Sequence, residues 1–537
     1  MTLVDRILYN GSIVTLDDRM PRVSALALAA GRVVAYGSDD DMLVLGGAGT
    51  IRENLGGKTV VPGLTDAHIH WEWTARTLHQ VDVFAVPDKA VALDRVAAWT
   101  AKTPPGQWVR GSGWFQDLWP DRAFPTAADL DAVSPHHPVF LTAKSGHAAW
   151  VNHYALRVCG ITADTPDPDG GQFQRDPSGQ LTGILFENAM EIVSKQITRL
   201  SVEQIADQMK VAQQLALASG LTGIHDFDQP SCMAALQTMR ERGELGLRVV
   251  KNINREWLPA ALDVGLRWGF GDDWIRIGGL KIFADGALGP RTAYMLDAYE
   301  GEPDNYGILT IDKEEMAELV SRASAAGFPS TIHAIGDRAV HDVLDVYETI
   351  RKEEAARGES PAVRRHRVEH VQVIHRSDAH RLAQLNLIAS MQPIHATSDM
   401  IMADRYWGAE RSKWAYNPRL QLDQGVVVAF GSDSPVDTFD PFKGIHAAVT
   451  RQRADGSPGS DGWYPDARVT VDEAVRGFTL GPAYAAGLEN RLGKLAPGYL
   501  ADLIVLDRDP YAIPPAELLN VGVLATMVGG VWRYGGV

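Results

Sequence analysis

The feature that most constrains this chain is the rhythm of its short apolar runs. They fall at 60–64, 139–142, 223–226, 247–250, 277–283, 330–333, 367–370, 388–391 and 426–430. Helical patterns occupy the spaces where crossovers are required, most clearly at 202–219 and 337–352, with apolar residues three to four apart. Strands alternating with helices are the signature of a parallel sheet. No Gly-x-Gly-x-x-Gly turn follows any run, so a (β/α)8 barrel of the TIM type is favoured over a doubly wound sheet. The runs number one more than a barrel needs, and either 139–142 or 247–250 is expected to be peripheral.

Both ends of the chain read differently, as short strands joined by turns. Asn10-Gly11 lies between Ile7-Leu8-Tyr9 and Ser12-Ile13-Val14, a hairpin signal, and Gly31 separates two further β-prone runs in the same manner. Around 498–507 and 523–533 the same grammar returns. Neither end carries enough apolar surface to stand alone, so residues 1–58 and 488–537 are expected to form one discontinuous β-sandwich. The barrel is expected over 59–487, with insertions at about 71–138, rich in Trp and Pro, and 165–183, dense in Pro, Gly and Asp.

Composition narrows the partners. The formal charge is −16, and the densest basic cluster, Arg364-Arg365-His366-Arg367, leads straight into a strand, so neither nucleic acid nor an anionic membrane is an expected partner. Two cysteines do not make a disulfide framework. The N-terminus lacks a secretory pattern and no apolar run is long enough to cross a bilayer, so the expectation is a cytoplasmic protein acting on a small molecule.

Against this frame the positions of certain polar residues matter. His68 and His70 share one face of the strand end that follows the 60–64 run, because alternate residues of a strand point the same way. Two imidazoles there are half of a metal site. Lys281 lies inside a strand pattern between apolar neighbours, where an unpaired ammonium is costly. His333, His370 and Asp433 sit at or just past strand ends. In a barrel all of these gather at the C-terminal rim. Taken singly, each has a plainer reading: a histidine satisfied by its neighbours, an aspartate capping a helix, a lysine in solvent.

Together, Pro62-Gly63-Leu64-Thr65-Asp66-Ala67-His68-Ile69-His70, Leu280-Lys281-Ile282-Phe283-Ala284-Asp285-Gly286, Ile332-His333-Ala334-Ile335-Gly336-Asp337, Arg367-Val368-Glu369-His370 and Gly431-Ser432-Asp433-Ser434-Pro435 resemble motifs of the metal-dependent amidohydrolase superfamily, and within it the YtcJ-like (amidohydrolase-3) branch. The resemblance implies two divalent metal ions, zinc being the expected one. His68, His70 and Asp433 would hold the more buried ion; His333 and His370 would hold the second; Lys281, N6-carboxylated, would bridge them. It also implies a metal-bridging hydroxide as nucleophile, with Asp433 as catalytic general base and then acid. The expected reaction is hydrolysis of an amide or related C–N bond of a small N-acyl or N-formyl compound.

Around this set, His147 is a candidate substrate contact, Asp285 and Arg291 a candidate polar anchor or a mutual pair, and Trp73, Trp114 and Phe115 candidate pocket walls. His225-Asp226 is a candidate supporting pair. Glu369 alternates away from His370, towards another face. Two other readings stay open. One is a mononuclear cyclic deaminase, although Ala334-Ile335-Gly336 after His333 lacks the glutamate such enzymes carry. The other is a non-catalytic scaffold, which would be expected to have lost some of the six ligands. A homodimer is the expected assembly.

Overall fold

Gly63 divides the opening apolar stretch between two sheets. A computed structural model describes residues 4–84, 86–144, 146, 148–168, 171–197 and 200–537. In it Thr59–Pro62 runs parallel to Ser12–Val14 and antiparallel to Leu503–Leu506, whereas Leu64–Ile69 begins the barrel. A side chain at position 63 would not fit: a Cβ there would lie 2.3 Å from the Thr222 side chain. The stretch that reads as one strand is therefore two, with the backbone turning where only glycine can pass.

The barrel has eight parallel strands. We number them β1 (Leu64–Ile69), β2 (Leu221–Asp226), β3 (Arg248–Asn254), β4 (Ile275–Phe283), β5 (Ser330–Ala334), β6 (Arg367–His370), β7 (Ile388–Met391) and β8 (Val427–Phe430). Each is hydrogen-bonded to the next in chain order, so the sheet runs β1 to β8 without a reversal. Burial on both faces explains why these strands read as nearly continuous apolar runs. The wall is nearly closed: β8 and β1 meet through backbone bonds at the rim, Asp433 N–H donating to His68 O at 2.7 Å and His70 N–H to Ser434 O at 2.9 Å.

The ninth run has its own place. Val139–Ala143 is a strand of a separate six-stranded mixed sheet that also contains Val81–Asp82, Val109–Trp114, Ala148–Val151, Gly171–Arg175 and Leu181–Glu187. This sheet belongs to a compact unit, Glu72–Met209, so the two regions expected as separate insertions are parts of one folded body. Its core is built on Trp114, Trp119 and Trp150, with Val139, Leu141 and Ile184 around them.

The chain ends build two further sheets. One has the order Arg32–Gly37, Ala25–Ala29, Arg6–Tyr9, Ile51–Asn54; the other Val531–Gly535, Val523–Val528, Leu503–Leu506, Thr59–Pro62, Ser12–Val14, Arg22–Val23. Leu8, Leu26, Leu28 and Val33 of the first share a buried cluster with Ile13, Val60, Leu503, Val505 and Met527 of the second. The Gly31 hairpin forms, Ala25 pairing with Gly37 and Ala29 with Arg32. The Asn10-Gly11 hairpin does not. The strands on either side of it enter different sheets, and Asn10, at φ 56°, is where the chain changes layer.

Candidate metal centre

The rim of the barrel gathers side chains from seven of its eight strand ends. His68 and His70 come from the end of β1, Lys281 from β4, His333 from β5, His370 from β6 and Asp433 from just past β8. Asp228 follows β2, and His395 opens the helix Pro393–Tyr406 after β7. Backbone in the left-handed region marks two of these positions, His370 at φ 74° and Asp433 at φ 58°. Such strain at non-glycine residues persists where the surroundings fix it.

His68, His70 and Asp433 form a group whose ligand atoms lie within 4.8 Å of one another. Asp433 Oδ1 is 3.5 Å from His68 Nε2 and 3.4 Å from His70 Nε2. Bonds of about 2.0–2.2 Å to a tetrahedral zinc would set neighbouring ligand atoms about 3.3–3.6 Å apart, so this spacing fits an ion at the centre. His68 Nε2 is buried and has no hydrogen-bond partner among the described residues. No metal is part of this structure; the fit rests on these donor atoms.

The opposite edge of each ring is engaged. His68 Nδ1 meets Glu369 Oε2 at 2.6 Å, His70 Nδ1 meets Asp228 Oδ1 at 3.0 Å and His370 Nδ1 meets Gln392 Oε1 at 2.7 Å. Carboxylate and amide oxygens accept, so each Nδ1 carries the proton and each Nε2 presents a lone pair. That is how metal-binding histidines are oriented and made more basic. The sequence did not reveal Asp228 and Gln392 as partners. Glu369 was read as turning to another face; that face is the barrel interior beneath His68, where Arg367 pairs with Glu369 at 2.7 Å.

Electrostatics agree with ligand roles. Burial, helped by the Lys281 charge, lowers His68 to about 4, and burial also takes His370 well below the ordinary histidine value. Both rings are then neutral near pH 7. Burial would lower His70 too, but the Asp228 and Asp433 carboxylates outweigh it and raise it to about 10. Without metal His70 therefore holds a second proton near pH 7, and a divalent ion placed there would take the place of the Nε2 proton in the same negative field. Asp433 itself is held well below the carboxylate range, burial being overcome by the histidines around it.

Lys281 Nζ is buried and lacks a hydrogen-bond partner among the described residues, lying 4.7 Å from the Phe227 ring centre and 4.4 Å from that of Phe283. Burial lowers it to about 8, against the pull of Glu369 and Asp433. His333 stands beside His370, their ring centres 4.6 Å apart. Its Nε2 is 2.9 Å from Gly286 O, so it donates there and leaves Nδ1 as its ligand atom. A second group, His370, His395 and Asp433, also has ligand atoms within 4.8 Å of one another. His395 was missed in the sequence. Its one signal was position, four residues past the β7 end, as Asp433 lies three past the β8 end.

The remaining candidates separate. Asp285 accepts backbone N–H groups from Tyr294, Ile335 and Gly336 at 2.8–3.0 Å, tying the loops after β4 and β5 together. Arg291 pairs with Glu302, not with Asp285. Trp114, 0 % exposed and edge-on to Trp150, is core of the Glu72–Met209 unit and has no surface to wall a pocket. Phe115, in the same unit, precedes the short turn Gln116–Leu118. His225 Nδ1 accepts from Arg367 at 3.0 Å, and Asp226 pairs with Lys251 at 2.8 Å and receives the Trp71 N–H. His147 lies outside the described residues.

Comparison with known proteins places the whole chain. The amidohydrolase family model (Amidohydro_3) matches residues 53–534. The chain is 30 % identical to the putative amidohydrolase YtcJ of Bacillus subtilis, over 98 % of this chain and 99 % of that protein. It is 32 % identical to N-substituted formamide deformylase of Arthrobacter pascens, over 99 % of this chain and 98 % of that protein. Among solved structures, an uncharacterized metal-dependent hydrolase from Pyrococcus horikoshii OT3 superposes with a TM-score of 0.79 at 29 % identity, covering 95 % of this chain and 99 % of that one.

Proposed function

Since the chain belongs to the amidohydrolase family, and is a metal-dependent enzyme of that family, we propose that it hydrolyses the C–N bond of a small N-acyl or N-formyl compound. The observation that carries this reading is the shared orientation of His68, His70 and His370, each with Nδ1 held by an acceptor so that Nε2 is left as the donor atom, together with Asp433, which belongs both to the group with His68 and His70 and to the group with His370. The 32 % identical N-substituted formamide deformylase supports the N-formyl class.

Two divalent ions, zinc in our reading, fit the donor set. His68, His70 and Asp433 hold one; His333, His370 and a carboxylated Lys281 hold the other. The orphaned, buried Lys281 amine supports carboxylation, because reaction with CO₂ turns a costly unpaired ammonium into an anionic oxygen donor. When bound, the ions polarise the scissile carbonyl and lower the pKa of water to near neutrality.

The chain's own residues do the rest. Glu369 and Asp228 fix the β1 imidazoles so that both Nε2 atoms stay aimed. Asp433 directs Oδ1 at them, and Oδ2 is the atom that takes a proton from the attacking water and returns it to the leaving nitrogen. The strained backbone at Asp433, tied to His68 O, keeps that carboxylate in place during the exchange.

The test is a metal analysis of the purified protein, with a hydrolysis screen of N-formyl, N-acetyl, N-acyl-amino-acid, carbamate and ester compounds. We expect stoichiometric divalent metal, turnover of at least one amide class, and its loss in His68→Ala and Asp433→Asn. Metal-free active protein, or full activity in His68→Ala, would overturn the proposal.

A further inference from the structure

The register between β4 and β5 sets Phe283 opposite His333, two residues beyond Lys281. Alternate residues of a strand share a face, so Lys281 and Phe283 point into the barrel, while Ile282, fully buried, points to the layer outside it. The contacts agree. The Phe283 ring centre is 4.4 Å from Lys281 Nζ and 5.1 Å from the His333 ring centre.

Two rings thus flank the Lys281 amine at nearly the same distance, and they differ in how they are covered. Phe227, its ring centre 4.7 Å from Nζ, is 2 % exposed and stacks on His68 with ring centres 3.9 Å apart. Phe283 is 43 % exposed. A single exposed apolar residue on an outer surface is ordinary and says nothing. Phe283 differs in its place. Strand direction and contacts put its ring inside the rim beside groups that are themselves buried, so its free surface opens to the mouth of the barrel, the end at which barrel enzymes hold their substrates.

The strand end that carries the ring is tied on both sides. Thr310 Oγ1 donates to Phe283 O at 2.6 Å, and Ala284 N–H donates to His333 O at 3.0 Å. A ring held on fixed backbone loses little freedom when another apolar group covers it.

We infer that Phe283 is the binding surface for an apolar substituent of the substrate. The inference rests on the amide-hydrolase reading above and names its substrate class: amides that carry an alkyl or aryl group, on the acyl carbon or on nitrogen, long enough to lie along the ring while the carbonyl is held at the metal centre. Phe283 then sets specificity by chain length, and Lys281 and His333, which it touches, keep their own roles.

The test uses 2-alkanones, which need no turnover: a CH₂ stands where the amide has its NH, and no bond can be hydrolysed. Calorimetry on the metal-loaded protein compares butan-2-one with octan-2-one. We expect octan-2-one to bind wild type at least about tenfold more tightly, as the added CH₂ groups half-covered by a ring would give, and this ratio to fall below about threefold in Phe283→Ala. Phe283→Leu, still apolar, should keep most of the ratio. In turnover, N-pentylformamide and N-pentylacetamide carry the chain on nitrogen, and N-methylhexanamide carries it on the acyl carbon. Relative to the N-methyl parents, kcat/KM should rise with chain length in at least one arm and flatten in Phe283→Ala; the arm that responds tells which substituent lies on the ring.

A ketone ratio unchanged in Phe283→Ala, or no dependence on chain length in wild type, overturns the subsite. Loss of a bound metal equivalent from Phe283→Ala also overturns it, by making the ring a support of Lys281 and His333. Wild type that hydrolyses amides with no preference for chain length sinks the subsite alone. A ketone ratio that depends on Phe283, in a protein that turns over no amide, sinks the hydrolase reading and leaves the subsite standing. Should Phe283→Ala lose its folded circular dichroism, Phe283→Thr, short, polar and suited to a strand, takes its place with the same expected flattening.

Discussion

Glu369 accepts the Nδ1 proton of His68 at 2.6 Å, and both side chains are completely buried. The carboxylate is shared with Arg367, so one acidic group orients the His68 ring and neutralises a cation inside the barrel. Burial would raise Glu369, but Arg367 and then His68 hold it at about 2.

Glu369→Gln should therefore weaken binding of the metal held by His68 by about 10–100-fold, the usual cost of losing an outer partner of a ligand. It should also lower stability, because Arg367 is left buried with its charge uncompensated. Competitive chelator titration and thermal unfolding measure the two effects separately. Unchanged metal affinity in a folded variant would show that His68 needs no support from below.

Lys281 sets a pH dependence. Only the neutral amine reacts with CO₂, and burial brings this lysine down to about 8. At fixed dissolved CO₂ and zinc, the rate at which metal-free protein recovers activity should rise up to about pH 8 and then level off. An ordinary lysine would keep accelerating to about pH 10.4. Lys281→Ala should recover no activity from CO₂ at any pH.

Glu354 governs acid stability far from the site. It accepts from His366 Nε2 at 2.8 Å, Ser324 Oγ at 2.6 Å and Arg351 Nη1 at 2.6 Å. Burial would raise its pKa, yet these partners hold it at about 2, against an ordinary value of 4.5. A depressed carboxylate contributes stability above its unfolded pKa and loses it as pH falls through the folded one. Glu354→Gln should cost about 2–3 kcal/mol at pH 7. That gap should narrow between pH 4.5 and pH 2, as urea unfolding at several pH values would show.

Gly63→Ala should destabilise by about 1–3 kcal/mol, since the new Cβ overlaps the Thr222 side chain at 2.3 Å. Thr222→Ala in that background should recover only part of the loss, because the Thr222 Cβ that it keeps lies 2.8 Å from the new atom. Additive losses in the double variant would mean that the clash is not what requires glycine at 63.

Much of this was legible in the letters. Seven barrel strands could be fixed by apolar runs buried on both faces, and β3 was one of the two runs left in doubt. His68, His70, His370 and Asp433 were expected at the rim because polar residues at strand ends follow a positional rule, and the structure gathers them there. Other features escaped for physical reasons. The role of 139–142 depended on a second sheet, and a short buried run looks the same in either. Trp114 read as a pocket wall because sequence shows that a ring is large, not which side is covered. His395 escaped because it sits on a helix after its strand. Asp228 and Gln392 escaped because they matter only through partners brought near by folding.

The seam between β8 and β1 has a consequence for biosynthesis. His68 and Asp433, ligands proposed for one ion, are joined through the backbone across the last gap in the barrel wall. During synthesis the two histidines emerge early and the aspartate late, so a nascent chain holds an incomplete set of donors until its final barrel strand arrives. Tight capture of that ion then coincides with completion of the barrel, and a ribosome-arrested chain ending before β8 should lack the tight binding at His68 and His70 that the full chain is expected to show.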